Sequence, residues 1–326
     1  MKQNTTYKQT ELGLIPEDWE VKKLGEIGNI ITGSTPSTTN LEYYKNGTFD
    51  FIGPADLNSN KYIDNAEKKV TEKGLNVGRI LKQKSVLVTC IGSTIGKIGI
   101  NKNICITNQQ INAIETDKNN SDFIYYSILE RKGRLKLIAG EQAVPVLNKT
   151  EFSKFKIPLP PLPEQKKIAD CLSTWDSAIE KQSQLINALT QRKKALMQQL
   201  LTGKKRLPGF EGEWKEVSLI ELADFRRGSF PQPYGLPEWY DNENGEPFIQ
   251  VYDVGDNFNL KPTTKSKISE LAQVQSVFIK KGTLIVTLQG SIGKVAITNY
   301  DAYIDRTLLL FSSFKMKVDI YFIMYQ

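Results

Sequence analysis

Two hydrophobic patterns of different period share this chain. Between Pro163 and Leu201, Ile168, Leu172, Trp175, Ile179, Ile186, Leu189, Leu196 and Leu200 fall on two seven-residue series interleaved at spacings of four and three, interrupted only by Gln182 and Lys193. That periodicity predicts one α-helix carrying a coiled-coil seam. Its ends are punctuated: Pro163 suits the first turn, Glu164 the positive end of the dipole, Gly203 can close the C-terminus, and Pro208 follows. At a rise of 1.5 Å per residue such a helix would span roughly 58 Å, more than a compact domain needs for an internal connection. An apolar seam needs cover, and the pattern predicts another long helix packed against it. The alternative is a stripe lying on the core of one domain.

On both sides of the helix the pattern changes to short β-rich runs broken by Gly, Pro, Asn and Asp. These are "SVLVTCIG", "GKIGI" and "CITNQQINAIE" before it, and "GTLIVTLQG", "GKVAI" and "YIDRTLLLF" after it. The two flanks repeat one another. "PEDWEVKKLGEI" (16–27) is answered by "EGEWKEVSLIEL" (211–222) and "TGSTP" (32–36) by "RGSFP" (227–231), both at an offset of 195. "FIGPADL" (51–57) is answered by "FIQVYDV" (248–254) and "VLVTCIGSTIGKIGI" (86–100) by "TLIVTLQGSIGKVAI" (283–297), at an offset of 197. Order and spacing that hold over about a hundred residues indicate duplication. The expected architecture is α/β (α+β): two related strand-rich domains, residues 1–158 and 207–326, joined by a long coiled-coil-type helix within 159–206. Continued along the chain, the offset matches Asp319 with Asp122 and Gln326 with Leu129, so the second repeat is expected to lack a counterpart of residues 130–201.

Composition narrows the chemistry. With 326 residues, 40% hydrophobic and 24% charged, the chain can bury two cores. No window approaches 18 uncharged apolar residues and the opening MKQNTTYKQTELG offers no secretion signal, so a cytosolic protein without membrane contact is expected. There is no histidine, which removes the commonest general base, the Ser-His and Cys-His pairs and imidazole metal sites. Cys90, Cys105 and Cys171 are odd in number and lack CxxC spacing, so buried free thiols are expected rather than disulfides or zinc ligands. The net charge of +7 is uneven: residues 163–206 carry 9 basic and 4 acidic side chains, residues 207–326 carry 12 and 15. A mildly basic balance fits a solvated surface as well as a nucleic-acid partner.

The segment "IPLPPLPEQKKIADCLSTWDSAIEKQSQLINALTQRKKALMQQLLTGKKRLPGF" (157–210), the opening "LGLIPEDWEVKKLGEI" (12–27) and the two "IGK" strands resemble the specificity (S) subunits of type I restriction-modification systems. The resemblance covers nearly the whole chain and is most specific in the P-L-P-P-L-x-E-Q run leading into the helix. It implies two target-recognition domains, each reading one half of a split sequence on double-stranded DNA, and two long helices paired antiparallel as a spacer. Of that pair this chain holds the first, and the C-terminal one is expected to be missing. It further implies methyltransferase (modification) subunits docked on the helical frame and restriction subunits supplying ATP-driven translocation and cleavage. S-adenosylmethionine, ATP and magnesium are then expected on those partners and no cofactor on this chain. A shortened chain could instead self-associate, a homodimer through the central helix rebuilding or blocking the frame.

Motifs for catalysis fail on inspection. "GSTIGKI" (92–98) has a glycine spacing one short of a phosphate-binding loop and Ile98 where a Ser or Thr is required, so a turn is expected there. Base readout needs Arg, Lys, Asn, Gln and small hydroxyls on loops or helix ends. Ser34, Thr35, Lys97, Asn108, Gln109 and Gln110 qualify in the first repeat, and Arg226, Arg227, Ser229, Lys294 and Arg306 in the second. "TNQQ" and "DRT" occupy corresponding places with different donor and acceptor chemistry, as two different half-sites would require.

Overall fold

A computed structural model describes residues 6–57, 60–140, 142 and 144–326; the first five residues of the opening segment lie outside it. The chain divides into two compact units, residues 1–184 and 185–326. That boundary falls inside the long helix, whereas the sequence pattern sets the helix apart from both flanks.

In the first unit a sheet is ordered Asn29–Thr32, Ile111–Glu115, Val86–Thr89, Ile98–Asn101 and Tyr62–Ile63, antiparallel except for its last pair. A second sheet pairs Cys105–Thr107 in parallel with Phe49–Ile52, which is antiparallel to Lys68–Val70. Alternation sends Val86 and Val88 into one core with Ile114, Ile124 and Phe152, and Leu87 into the other with Ile52, Ile111 and Ala113.

The second unit repeats this plan. One sheet runs Ala223–Arg227, Leu308–Phe314, Leu284–Thr287, Val295–Ile297, all antiparallel, and the other holds the parallel pair Glu246–Ile249 and Ala302–Ile304. Phe51 pairs with Ile106 and Phe248 with Tyr303, each partner 197 residues later. The repeat read from sequence is therefore a repeat of topology.

Two alignments shift. Thr89 N bonds Lys97 O and Thr287 N bonds Lys294 O, both at 2.9 Å, so Thr287 is the counterpart of Thr89 and the second turn is one residue shorter. Near the C-terminus, Asn120 caps the helix Ser121–Glu130 by accepting from Phe123 N, and Asp319 caps Ile320–Tyr325 by accepting from Phe322 N. The structural partner of Asp319 is thus Asn120 and not Asp122. A bulge between Asp224 and Phe225 and a longer strand at Leu308–Phe314 accompany the two-residue drift.

The long helix is one unbroken element, Leu162–Leu200, of 39 residues. Pro163 stands in its first turn as expected. Gly203 adopts a φ of +70°, where a β-carbon would also meet Trp214 at 3.2 Å, and its amide caps Leu200 O. Only Gln165 and Ala169 are buried along the helix, so the seam does not lie on a core. Trp175, Ile179, Ile186 and Leu189 are 66%, 64%, 54% and 53% exposed. No helix among the described residues is long and apolar enough to cross a membrane. Cys90 and Cys105 are buried as expected, but Cys171 is exposed because it lies on the solvent side of the helix.

Candidate nucleic-acid interface

Strand directions bring the first unit's candidate residues to one edge. Thr32 and Val88 both pair with Asn112, and Val88 also with Ile98, so the loops after Thr32 and Thr89 and before Ile111 and Ile98 meet there. The parallel pair ending at Ile52 and Thr107 delivers two more loops to the same edge: Ser34 N bonds Thr107 O at 2.8 Å and Asn108 N bonds Ile52 O at 3.2 Å. Gly33 is required by this crossing, since a β-carbon there would lie 2.1 Å from Asn108 O.

Within the cluster Thr35 Oγ1 donates to Gln109 Oε1 at 2.7 Å, Asn108 Nδ2 to Gln110 Oε1 at 3.0 Å, and Gln110 N to Asn108 Oδ1 at 3.1 Å. Lys97 Nζ, exposed, reaches Pro54 O at 3.3 Å. These polar groups restrain one another on a rigid edge while Thr35, Lys97 and Gln109 face solvent. Ser34 is the exception, because its hydroxyl is buried without a partner. The "GSTIGK" segment is a turn, with Gly92 and Gly96 at φ of +82° and +85°. Beside it run Lys132 and Lys136, whose stems approach Gly96 to 3.5 and 4.0 Å of an ideal β-carbon, a basic flank that single-residue inspection missed.

The second unit builds the same edge with other side chains. Gly228 crosses Asp305 as Gly33 crosses Asn108, a β-carbon there lying 2.3 Å from Asp305 O. Arg227 Nε donates to the backbone oxygen of Arg306, joining two of the predicted residues. Ser229 Oγ is spent on Gln275 O at 2.7 Å, and Lys294 pairs with Asp256 at 2.5 Å. Arg226 precedes Arg227 on the strand and faces the other side of the sheet.

A cluster unforeseen from sequence occupies the middle of this edge. Tyr252 donates to Gln250 Oε1, Gln250 Nε2 donates to Tyr234, and the Arg306 guanidinium lies 5.4 Å from the Tyr234 ring centre. Burial raises the pKa of the Tyr234 and Tyr252 phenols and of the neighbouring Asp253 carboxyl. At the corresponding places the first unit has Gly53 and Ala55. The available signal was this loss of small residues between "FIGPADL" and "FIQVYDV".

Residues 16–191 match the family model described as the type I restriction modification DNA specificity domain. The chain belongs to this family. Among relatives of this specificity family, it is 36% identical over 195 residues to the type I restriction enzyme MjaIX specificity subunit of Methanocaldococcus jannaschii, a match covering 57% of this chain and 45% of that one. It is 32% identical over 201 residues to the HindI specificity subunit of Haemophilus influenzae, covering 58% and 42%. The matches thus span less than half the length of these two relatives. The fold is that of the solved type I restriction-modification S subunit from M. genitalium, with a TM-score of 0.55 at 14% identity over 99% of this chain and 76% of that one. A chain from a structure of type I complex assembly and conformational transition gives 0.54 at 20% identity over 91% and 75%.

Proposed function

We propose that this chain reads a split sequence on double-stranded DNA as the specificity subunit of a type I restriction-modification complex, each unit contacting one half-site. The observation that supports this reading best is one edge built twice on the same topology with different side chains: Thr35, Asn108 and Gln109 in one unit, Gln250, Tyr234 and Arg306 in the other. Equal scaffolds with unequal donors suit an asymmetric target. A helix of 39 residues supplies the stiff element that a fixed half-site separation requires.

In this reading the chain performs no chemistry. Modification subunits carry S-adenosylmethionine and the methyl transfer, restriction subunits carry ATP, magnesium and cleavage, and the assembly works in the cytosol. The exposed seam is the place where a second long helix would pack, and in a homodimer another copy of this chain would supply it.

The test is domain exchange within the assembled complex. Replacing residues 12–158 with the matching segment of another specificity subunit should change one half-site only. A change in both halves sinks the modular reading. The chain alone, given DNA, ATP, magnesium and S-adenosylmethionine, should neither cleave nor methylate.

A further inference from the structure

The Lys61 ammonium group is enclosed, its side chain only 6% exposed. It lies 2.8 Å from Asp122 Oδ1, donates to Ser173 Oγ at 2.7 Å and to the Tyr126 hydroxyl at 3.2 Å, and stands 4.6 and 4.7 Å from the Tyr62 and Tyr126 ring centres. Tyr62 donates to Asp122, and Tyr126 donates to Asp176. Ser173 and Asp176 belong to the long helix, the rest to the body of the first unit. A cation with this many oriented partners is held in one geometry.

The second unit has the same seat with the charge moved. Asn259 bridges Ile297 in parallel exactly 197 residues after Tyr62 pairs with Ile100, which places Phe258 where Lys61 stands. The helix caps align Tyr325 with Tyr126. Phe258 and Tyr325 pack edge to face at 5.0 Å, and the cation over them, 5.5 and 5.9 Å from their ring centres, is Lys193 of the long helix. One seat takes its lysine from the body and the other from the helix. Lys193 interrupts the apolar seam, and this contact gives the interruption a purpose.

We propose that Lys61 and Lys193 are positioning residues: each fixes how its unit sits on the long helix, and together they hold the half-site spacing that the complex accepts. The inference rests on the split-site reading above. In the first unit Gln165 and Ala169 anchor the start of the helix, but Trp175 and Ile179 beyond are exposed, so the Lys61 network is the second support that prevents a pivot. From Asp176 to Leu200 the helix runs about 36 Å, so a 5° pivot moves its end by about 3 Å, close to one base-pair step.

The experiment uses the full chain assembled with its modification subunits and duplexes carrying the two half-sites it selects, with central spacers from two base pairs shorter to two longer. Wild type should prefer one length sharply. Lys61→Met and Lys193→Met should each flatten that preference several-fold between neighbouring lengths and leave the selected half-site sequences unchanged. If Lys61→Met does not fold, Tyr126→Phe, which keeps the ring and removes its hydroxyl link to Asp176, should flatten the profile in the same way. Binding that falls equally at every length, or a profile as sharp as wild type, overturns the proposal, because a merely stabilising contact would act that way. A wild-type complex with no preferred length defeats the split-site reading itself, an outcome separate from a sharp optimum that the variants leave intact.

Discussion

Gln165 Nε2 donates to Asn119 Oδ1 at 3.1 Å across the junction between the long helix and the first unit. The same amide nitrogen donates to Pro160 O at 2.9 Å, and Gln165 Oε1 accepts from Asn120 N at 2.9 Å, so a side chain only 2% exposed has both of its polar atoms satisfied. Its neighbour Glu164 accepts the Trp19 indole N–H at 3.0 Å. The Pro-Glu-Gln run at the helix start is therefore a lock. Gln165→Leu should destabilise the protein by about 1–3 kcal/mol, because it strands the half-buried Asn119 oxygen and Asn120 amide. Denaturant unfolding of the full chain measures this, and an unchanged midpoint refutes the lock.

Burial pushes the Cys90 and Cys105 thiols up to about 12 from an ordinary 9.0, and hydrogen bonds with Asn112 and Asn101 offset it only in part. In the unfolded chain both ionise near the ordinary value, so above it the unfolded state holds fewer protons and stability falls as pH rises. The contribution is complete below about pH 9 and is lost toward pH 12, on the order of 1 kcal/mol per thiol per pH unit in that window. Urea midpoints at pH 8 and pH 10 should show the loss, and Cys90→Ala should reduce it. At pH 8 a thiol reagent should modify Cys171 alone in the native chain.

The duplicated topology, the long helix and its open seam were all legible from periodicity and repeat offsets, since these depend on spacing alone. Less visible was what happens where spacing changes. The one-residue contraction that makes Thr287 the partner of Thr89 is hidden by neighbouring matches at an offset of 197. Lys61 and Phe258 share no chemistry, so their equivalence emerges only when strand register and the lysine on the opposite helix are seen together. Gln165 resembles any exposed helical glutamine until partners 45 and 46 residues away close around it. Ser34 joins the edge through its backbone amide, while its hydroxyl is buried, a distinction that spacing does not carry.

Lys97 is exposed and, among the described residues, bonds Pro54 O, whereas Lys294 at the equivalent place is paired with Asp256. Lys97→Ala should weaken DNA binding by the complex without altering the preferred sequence, and reduce the slope of log K against log salt by about 1. Lys294→Ala should change that slope less, its charge being already offset. Titrations at three salt concentrations separate the two, and equal slopes in all three proteins count against phosphate contact by Lys97.

Gln250 is only 9% exposed and both ends of its amide are held by tyrosine hydroxyls, so it fixes where Tyr234 and Tyr252 stand at the second unit's edge. Gln250→Ala should relax selection at one base pair of a single half-site, by about 1–3 kcal/mol, and leave the other half-site as it was. Sequencing of duplexes retained by the complex reads both halves at once. Unchanged selection in both would leave Gln250 without a role in positioning the reading surface.

Ile179 and Ile186 are 64% and 54% exposed on the long helix, one heptad apart. Side chains this exposed contribute little to the fold of the chain itself, so Ile179→Ser with Ile186→Ser should shift unfolding by no more than about 1 kcal/mol. Their loss should be felt in association. If a second helix covers the seam, each buried isoleucine contributes roughly 1.5–3 kcal/mol to that contact, and the double variant should weaken it by a factor of about a hundred or more. Light scattering of the chain alone across a concentration series, followed by the same series with modification subunits, distinguishes self-association from partner docking. Wild-type and variant chains that behave identically in both series would leave the seam without a binding role.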